Sequence, residues 1–237
     1  MPSPLDKRDE QRKAHSRRLN WLRAGVLGAN DGIVSTAGIV MGVAGATVES
    51  GPILIAGVAS LVAGSMAMAG GEYASVSAQR DSEKAAMEKE RKEISDNPDL
   101  ELSALANYYQ NRGISEKLSL EIAEELSATD PLRAHAEAEL GISSDEHVSP
   151  KAAAVASFIA FALGAVLPIV AISGPWIEFR EIATVGSVVV ALALTGYFGA
   201  KIGKAKPLRA VARNVVVSLL TMGITYAIGA ALGVAVA

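Results

Sequence analysis

The chain has 237 residues, half of them hydrophobic, and its 22 Lys and Arg residues nearly balance 25 Asp and Glu residues. The net charge of −3 argues against a nucleic-acid-binding protein, and the absence of cysteine excludes disulfides and thiolate metal sites. Residues 24–78 and 152–200 contain only three charged side chains each, and residues 214–237 contain none. Such separation of apolar and charged runs excludes a soluble globular protein and is typical of a membrane protein with a polar insert.

Five apolar runs are long enough, at about 20 residues, to cross a bilayer as helices. They cover roughly 22–46, 52–78, 152–173, 182–200 and 214–236. A tight link at 49–52 makes the first two a helical hairpin, and a basic loop at 201–213 separates the last two. Glycines four residues apart predict close helix packing in lipid at four places: Gly28–Gly32, Gly38–Gly42, Gly199–Gly203 and Gly229–Gly233.

The charged segment after the second run is predicted to form four helices, separated by proline, glycine and capping residues. The first continues the second apolar run to Asp96, where Asn97-Pro98 stops it. The next two cover 99–112, closed by Gly113, and about 115–128, with Ser115 as N-cap. The fourth begins after the N-cap Asp130 and ends at Gly141. No strand pattern occurs, so the predicted fold class is all-α, with five transmembrane helices and a helical insert.

The distribution of Lys and Arg predicts the orientation, because these residues are retained on the cytoplasmic side. With the N-terminus inside, 21 of the 22 basic residues are cytoplasmic and only Arg180 is outside. We therefore expect a cytoplasmic arm at 1–21, transmembrane helices 1 and 2 at 22–78, and a cytoplasmic metal-binding insert at 79–150. Transmembrane helices 3 to 5 follow at 151–237, with the C-terminus outside.

Two carboxylates lie inside the apolar runs, Asp31 in the first and Glu72 in the second. A charge in hydrocarbon costs at least about 2.5–3.5 kcal/mol, so such residues usually face a cavity, an ion path or a proton relay. Met68 lies one turn before Glu72, and oxygen with thioether sulfur suits a borderline divalent cation. We expect a cation path here, with Asp31 buried and without a structural partner. Interfacial acids and ordinary methionine packing are the alternatives.

The insert is acidic, since residues 79–150 contain 17 Asp and Glu against 8 Lys and Arg. Some of these acids are expected to form surface pairs four residues apart: Lys84–Glu88, Glu88–Lys92, Lys89–Glu93, Lys117–Glu121 and Arg133–Glu137. Others have no basic residue at that spacing, namely Glu83, Glu90, Glu101, Glu124 and Glu139. His135 lies one turn before Glu139, and carboxylates with imidazole on bundled helices predict a metal site. A solvated acidic surface is the alternative, and His15 and His147 are expected at the surface.

Three motifs resemble the vacuolar iron transporter family: WLR at 21–23, GANDGIVST at 28–36 and GSMAMAGGEYASVSAQ at 64–79. The resemblance covers nearly the whole chain from about residue 15. It implies five spans, a homodimer, and export of Fe²⁺ or Mn²⁺ from the cytoplasm in exchange for protons. It places the transport path at Asp31, Met68 and Glu72, and insert ligands at Glu90, Glu93, Glu101 and Glu139. Ala104 and His135 depart from the family pattern, which has glutamate and methionine at these positions.

The sequence therefore favours a divalent-metal antiporter without enzymatic activity or an organic cofactor, in the plasma (inner) membrane of a bacterium. The expected partners are Fe²⁺ or Mn²⁺, protons, the lipid bilayer and a second copy, but no nucleic acid. The alternative is a membrane-anchored metal-binding or ferroxidase-like protein without transport. Spans that only anchor such a protein would not require a charged residue at Asp31. The full set of expected insert ligands is Glu83, Glu90, Glu93, Glu101, His135 and Glu139.

Overall fold

A computed structural model describes residues 4–141 and 149–236, with side chains described for 25–141 and 149–233. These residues are almost entirely helical and contain no strand, which confirms the all-α fold class. A short 3₁₀ helix, Ile177–Phe179, precedes the seventh α-helix. The α-helices are α1 (Pro4–Ala46), α2 (Ser50–Asp96), α3 (Pro98–Gln110), α4 (Glu116–Thr129), α5 (Pro131–Ala138), α6 (Pro150–Ser173), α7 (Arg180–Ile202) and α8 (Pro207–Val236).

Within the described residues, five helical segments are long and apolar enough to cross a membrane, which confirms the predicted number and order of spans. They lie in α1, α2, α6, α7 and α8, and the protein is an integral membrane protein. Helix α2 has 47 residues and is therefore about 70 Å long at roughly 1.5 Å per residue. A bilayer core is only about 30 Å thick. The apolar residues 52–78 are enough to cross it, so the charged remainder of α2 lies outside the span.

The chain forms two compact units, one of residues 1–73 and 151–237 and the other of residues 74–150. The first, which we call the membrane unit, contains the five spans. Its core is built around α1, whose apolar side chains recur at helical spacing and pack against the other spans. The buried members of this core are Ile33, Ala37, Val40, Met41 and Ala44 from α1, with Ile53, Ile172, Val188, Leu192 and Met222.

Glycines bring α1 close to two neighbouring helices. A Cβ added at Gly32 would collide with the backbone of Phe161 in α6. A Cβ at Gly229 in α8 would collide with the carbonyl group of Gly42. The close packing predicted from the small residues of α1 and α8 is therefore confirmed, because no larger side chain fits at these crossings.

The connection between α7 and α8 is shorter than the sequence predicted. Helix α7 continues to Ile202 and α8 begins at Pro207, so only residues 203–206 connect the two helices, instead of a basic loop over 201–213. Proline is well suited to the first helical position because its missing N–H has no partner there. Gly203 is the C-cap of α7, and a Cβ at Gly199 would meet only the side chain of Val26. Gly199 therefore packs against a side chain of α1, and Gly203 lies at a helix end, so this pair does not bring two helix backbones together as predicted.

The second unit, residues 74–150, we call the insert unit. Its helices end close to the boundaries predicted from proline, glycine and aspartate. Gly113 and Gly141 have positive φ values of 90° and 63°, and the Asp130 side chain accepts a hydrogen bond from the backbone N–H of Arg133. Ser115 is at the N-cap of α4, but its side chain makes no capping hydrogen bond. The buried core consists of Leu105, Ala106, Ala123 and Ala134.

The predicted surface ion pairs of the insert unit are mostly present. The pair at Glu88 differs, because this carboxylate contacts Arg91 at 2.9 Å, three residues away, instead of Lys84 or Lys92. Arginine at i+3 lies on the same helix face as lysine at i+4, so the two compete for one acid. The observed i,i+4 pairs are Lys89–Glu93 at 3.2 Å, Lys117–Glu121 at 3.9 Å and Arg133–Glu137 at 2.9 Å.

Candidate metal sites

A pocket of about 330 Å³ lies in the membrane unit between α1 and α2. Two stripes of residues, each with four-residue spacing, face each other across it. Helix α1 contributes one stripe and α2 the other, because residues four apart share a helix face. The lining consists of Asp31, Ser35 and Ile39 from α1, Ser60, Ala63, Gly64, Ala67 and Met68 from α2, and Phe161 from α6.

The carboxylate of Asp31 has a hydrogen-bond partner, contrary to the expectation from the sequence. Ser35 Oγ donates to Asp31 Oδ1 at 2.5 Å. Asp31 is also exposed on the single chain instead of buried. The hydroxyl holds the carboxylate in one orientation at the pocket, and its second oxygen makes no hydrogen bond with a described residue. A ligand in the pocket can therefore contact an oriented negative charge.

The pocket contains one of the two other residues that the sequence placed on the cation path. Met68 is half-buried and lines the pocket opposite α1. Glu72 is half-buried one turn further along α2, on the same stripe, but it does not line this pocket. The structure thus groups Asp31 with Met68 in one pocket, and Glu72 is not part of its lining.

Three hydroxyl residues near the pocket were missed in the sequence. Ser35 and Ser60 line it, and Thr36 Oγ1 lies 3.1 Å from Ser60 Oγ in a buried hydrogen bond between α1 and α2. Ser35 was detectable, because it lies one turn after Asp31. Ser60 was also detectable, because it lies two turns before Met68 on the same stripe. The bond from Thr36 to Ser60 depends on how the helices pack, which the sequence alone does not show.

A second cluster of ligand-type side chains lies in the insert unit around His135. Its Nδ1 atom is 3.0 Å from Glu90 Oε1, 3.3 Å from Glu139 Oε1 and 3.8 Å from Glu101 Oε2. Helix α2 supplies Glu90, α3 supplies Glu101, α5 supplies His135, and Glu139 is the C-cap of α5. Glu90, His135 and Glu139 each place a ligand atom within 4.8 Å of the other two. Four groups from three helices and a cap therefore converge on one point.

The geometry between His135 and Glu90 is not that of a hydrogen bond. His135 is only 1% exposed, and neither its Nδ1 nor Glu90 Oε1 has a hydrogen-bond partner among the described residues, despite their 3.0 Å separation. Buried polar atoms are rarely left in this state, since each costs about 1–3 kcal/mol. Two unsatisfied atoms that lie close together without a hydrogen bond between them are suited to a common third partner, such as a cation.

The electrostatics of the cluster disfavour the ionised form of Glu90. Burial raises the pKa of its carboxyl above the usual range, and the neighbouring carboxylates of Glu139, Glu101 and Glu93 raise the pKa further. His135 acts in the opposite direction, and its effect is smaller than that of burial. Negative groups held together at this cost are stabilised when a cation binds between them.

Comparison with known proteins identifies the family. The model of the VIT family matches residues 22–230, which include both the pocket and the His135 cluster. This chain belongs to the VIT family. A protein from Acanthamoeba castellanii (strain ATCC 30010 / Neff), named vacuolar iron transporter, is 41% identical over 93% of this chain and 82% of its own length.

Two plant proteins extend the comparison of this VIT-family chain. Vacuolar iron transporter homolog 5 of Oryza sativa subsp. japonica is 37% identical over 88% of this chain and 79% of its own length. Vacuolar iron transporter homolog 1 of Arabidopsis thaliana is 33% identical over 97% of this chain and 92% of its own length. The similarity extends through both units and confirms the resemblance seen in the GANDGIVST and GSMAMAGGEYASVSAQ motifs.

The two remaining predicted insert ligands of this VIT-family chain interact with other side chains. Glu93 forms an ion pair with Lys89 at 3.2 Å, and Glu83 accepts a hydrogen bond from Gln79 Nε2 at 2.9 Å. Neither belongs to the group of ligand atoms around His135. The side chain of His15, and all of His147, lie outside the described residues.

Proposed function

We propose that this VIT-family protein is a transporter that moves Fe²⁺ or Mn²⁺ out of the cytoplasm in exchange for protons. The observation that carries the proposal is the pocket of the membrane unit, where the Asp31 carboxylate and the Met68 thioether lie together on two spans. The names of its relatives, vacuolar iron transporter, support iron as the substrate.

The pocket offers donors that suit a borderline divalent cation. A carboxylate compensates the positive charge, hydroxyl oxygens replace water, and a thioether favours softer metals over Mg²⁺ or Ca²⁺. The apolar residues of the lining keep the coordination incomplete, so the ion is able to leave. The same carboxylate, and that of Glu72, can each carry a proton in the opposite direction, as intramembrane acids do in pumps and transporters.

The insert, residues 79–150 within the insert unit, acts as the domain that collects metal from the cytoplasm. Glu90, Glu101, His135 and Glu139 are its ligands, because they converge on one point. Glu83 and Glu93 contribute negative charge around the site. The acidic surface of the insert raises the local concentration of cations.

The charge distribution supports an orientation in the membrane, and the exposure of Asp31 supports a homodimer. The N-terminus, residues 1–21, and the insert face the cytoplasm of a bacterial plasma membrane, and the C-terminus faces outward. The exposure of Asp31 on the single chain supports a homodimer, since a carboxylate facing hydrocarbon is costly unless another protein surface covers it.

The competing function is a membrane-anchored metal-binding protein without transport. The His135 cluster favours it, because that site would bind metal whether or not the spans conduct ions. The two functions differ in what they require of Asp31, which is distant in sequence from the insert and necessary only for transport.

The test is the Asp31→Asn variant, compared with wild type in liposomes for initial uptake of Fe²⁺ and Mn²⁺ with and without a pH gradient. Asparagine keeps the oxygen that accepts from Ser35 but removes the charge and the proton-carrying group. Uptake should fall to the level of empty liposomes, while the melting temperature in detergent and the metal bound by the insert stay unchanged.

Glu49→Gln is the matched control, because Glu49 is an exposed carboxylate in the link between α1 and α2, outside the pocket. It should transport like the wild type. Full transport by Asp31→Asn would refute the path. Metal binding without any transport by the wild-type protein would favour the anchored metal-binding protein instead.

A further inference from the structure

The junction of α7 and α8 carries a concentrated positive charge that the transport proposal does not use. Five basic residues lie within positions 201–213, and no Asp or Glu occurs from Ile182 to Ala237. All five side chains are exposed, and none forms an ion pair with a described residue. We call this group the basic junction: Lys201, Lys204, Lys206, Arg209 and Arg213.

The fold holds these cations together at one end of a tightly packed helix pair. Close to the junction, a Cβ added at Gly196 of α7 would lie 3.1 Å from Val211 Cα of α8. The connection of residues 203–206 is a tight turn that includes Lys204 at a φ of 53°. Arg209 and Arg213 lie four residues apart in α8 and so share one face at its start, and Lys206 directly precedes that helix.

Exposed apolar side chains flank the cations. Leu208 is 82% exposed between Lys206 and Arg209, and Phe198 is 55% exposed one turn before the end of α7. Both helices are candidate membrane spans, and the junction lies at the end of their apolar segments. A surface with cations at the end of two spans and apolar groups beside them matches the boundary between headgroups and acyl chains.

We propose that the basic junction binds the headgroups of anionic phospholipids in the bilayer. Setting the orientation of the spans requires only an excess of Lys and Arg on one side, whereas here five cations cluster at one helix junction and lack acidic partners among the described residues. Negatively charged phosphate groups complement that cluster, and Leu208 lies in the adjacent acyl region. Proximity to an anionic surface favours binding by about fivefold for each Lys or Arg.

The experiment uses the full-length protein in detergent, with dioleoylphosphatidylglycerol, dioleoylphosphatidylcholine or inorganic phosphate added. Native mass spectrometry counts the bound lipids, and the melting temperature reports their effect. The test variant is K206Q/R209Q/R213Q, and the control K84Q/K92Q/R112Q removes three exposed cations from the insert unit.

The wild-type protein and the control should retain phosphatidylglycerol in preference to phosphatidylcholine, and added salt should weaken this preference. The test variant should lose most of the preference, up to about a hundredfold for three cations. An unchanged preference would overturn the proposal. So would stabilisation by inorganic phosphate alone, which indicates a free-anion site. A loss of melting temperature in the test variant that is equally large without lipid would also overturn it, because the cations would then stabilise the protein itself.

Discussion

The carboxylate of Asp31 is oriented by a hydroxyl group instead of a second charge. Ser35 lies one turn further along α1 and donates to Asp31 Oδ1. A neutral donor leaves the negative charge of the carboxylate available to a cation, whereas a lysine or arginine at this position would neutralise it. Ser35 is therefore a positioning residue in the proposed path.

We predict that Ser35→Ala lowers the initial rate of metal uptake by about tenfold, since a hydrogen bond to a charged group contributes about 1.5–3 kcal/mol. The charge of Asp31 remains, so uptake should not disappear as it does in Asp31→Asn. Ser35→Thr keeps the hydroxyl and should recover most of the rate in the same liposome assay. Equal rates for wild type and Ser35→Ala would show that the hydroxyl does not position the carboxylate.

Glu90 makes the stability of the insert unit depend on both pH and bound metal. Its pKa is raised by burial, so its effect on stability has a definite sign. A carboxyl with a raised pKa in the folded state contributes full stability below its ordinary pKa of about 4.3. That stability is lost as the pH rises through the higher, folded-state pKa, because the ionised form is disfavoured in the fold.

We predict that metal-free Glu90→Gln melts at a higher temperature than metal-free wild type at pH 7, and that the difference disappears below about pH 4. Saturating Fe²⁺ or Mn²⁺ should reverse the order, because only the wild type has the complete ligand set. Metal at a hundred times its dissociation constant stabilises a protein by about 2.7 kcal/mol. Calorimetric melting with chelator and with metal measures both effects.

The control for this prediction is Glu124→Gln, which changes an exposed carboxylate in α4 and should leave both melting curves unchanged. Metal affinity of the wild type should also decrease as the pH is lowered, since protons compete for imidazole and carboxylate. Because the pKa of Glu90 is raised, that decrease should begin at a higher pH than for an ordinary glutamate. A lower melting temperature of metal-free Glu90→Gln would contradict the electrostatic account.

At the scale of elements, helix ends were predictable because their causes are local. Asn97-Pro98, Gly113 and Asp130-Pro131 each impose a backbone geometry that needs no distant contact, and the structure has helix boundaries at all three. Contacts between helices were less predictable. The bond from Thr36 to Ser60 and the partner of Glu88 depend on how helices cross and which side chain reaches furthest, and spacing alone does not determine either.

The glycines of α8 allow a test of how closely it packs on α1. A Cβ at Gly229 would collide with the carbonyl of Gly42, whereas one at Gly223 would meet nothing within 4 Å. We predict that Gly229→Ala lowers the melting temperature in detergent because the two helices must separate. Gly223→Ala, in the same helix, should leave the melting temperature unchanged or raise it slightly, since alanine is preferred to glycine in helices by about 0.5–1 kcal/mol. Equal effects of the two substitutions would contradict the crossing.

At the scale of the whole molecule, the segregation of charge was sufficient to predict five spans and a polar insert. The convergence of Glu90, Glu101 and His135 was less certain from sequence, because these residues come from three different helices. The absence of basic partners four residues away gave the first indication for the two glutamates. For Asp31, the sequence wrongly predicted that the carboxylate has no partner, because only charged partners were considered and the hydroxyl of Ser35 was overlooked.

The orientation predicted from the basic residues can be tested at three positions, because the chain has no cysteine and each introduced thiol is unique. Val48, in the link between α1 and α2, is 83% exposed. Ser95 is exposed near the end of α2, and Ala205 is exposed in the connection between α7 and α8. We predict that Val48→Cys reacts with a membrane-impermeant maleimide in intact cells, whereas Ser95→Cys and Ala205→Cys react only after permeabilisation.

The contrast between these positions follows from the membrane crossings that separate them. One crossing separates Val48 from Ser95, and three separate Val48 from Ala205, so both odd numbers place Val48 on the side opposite to the other two. Ser95 and Ala205 are separated by two crossings and must react alike, which provides an internal control. Reaction of Ser95→Cys but not Val48→Cys in intact cells would invert the orientation. It would place the acidic insert outside, where it could not collect cations from the cytoplasm for export.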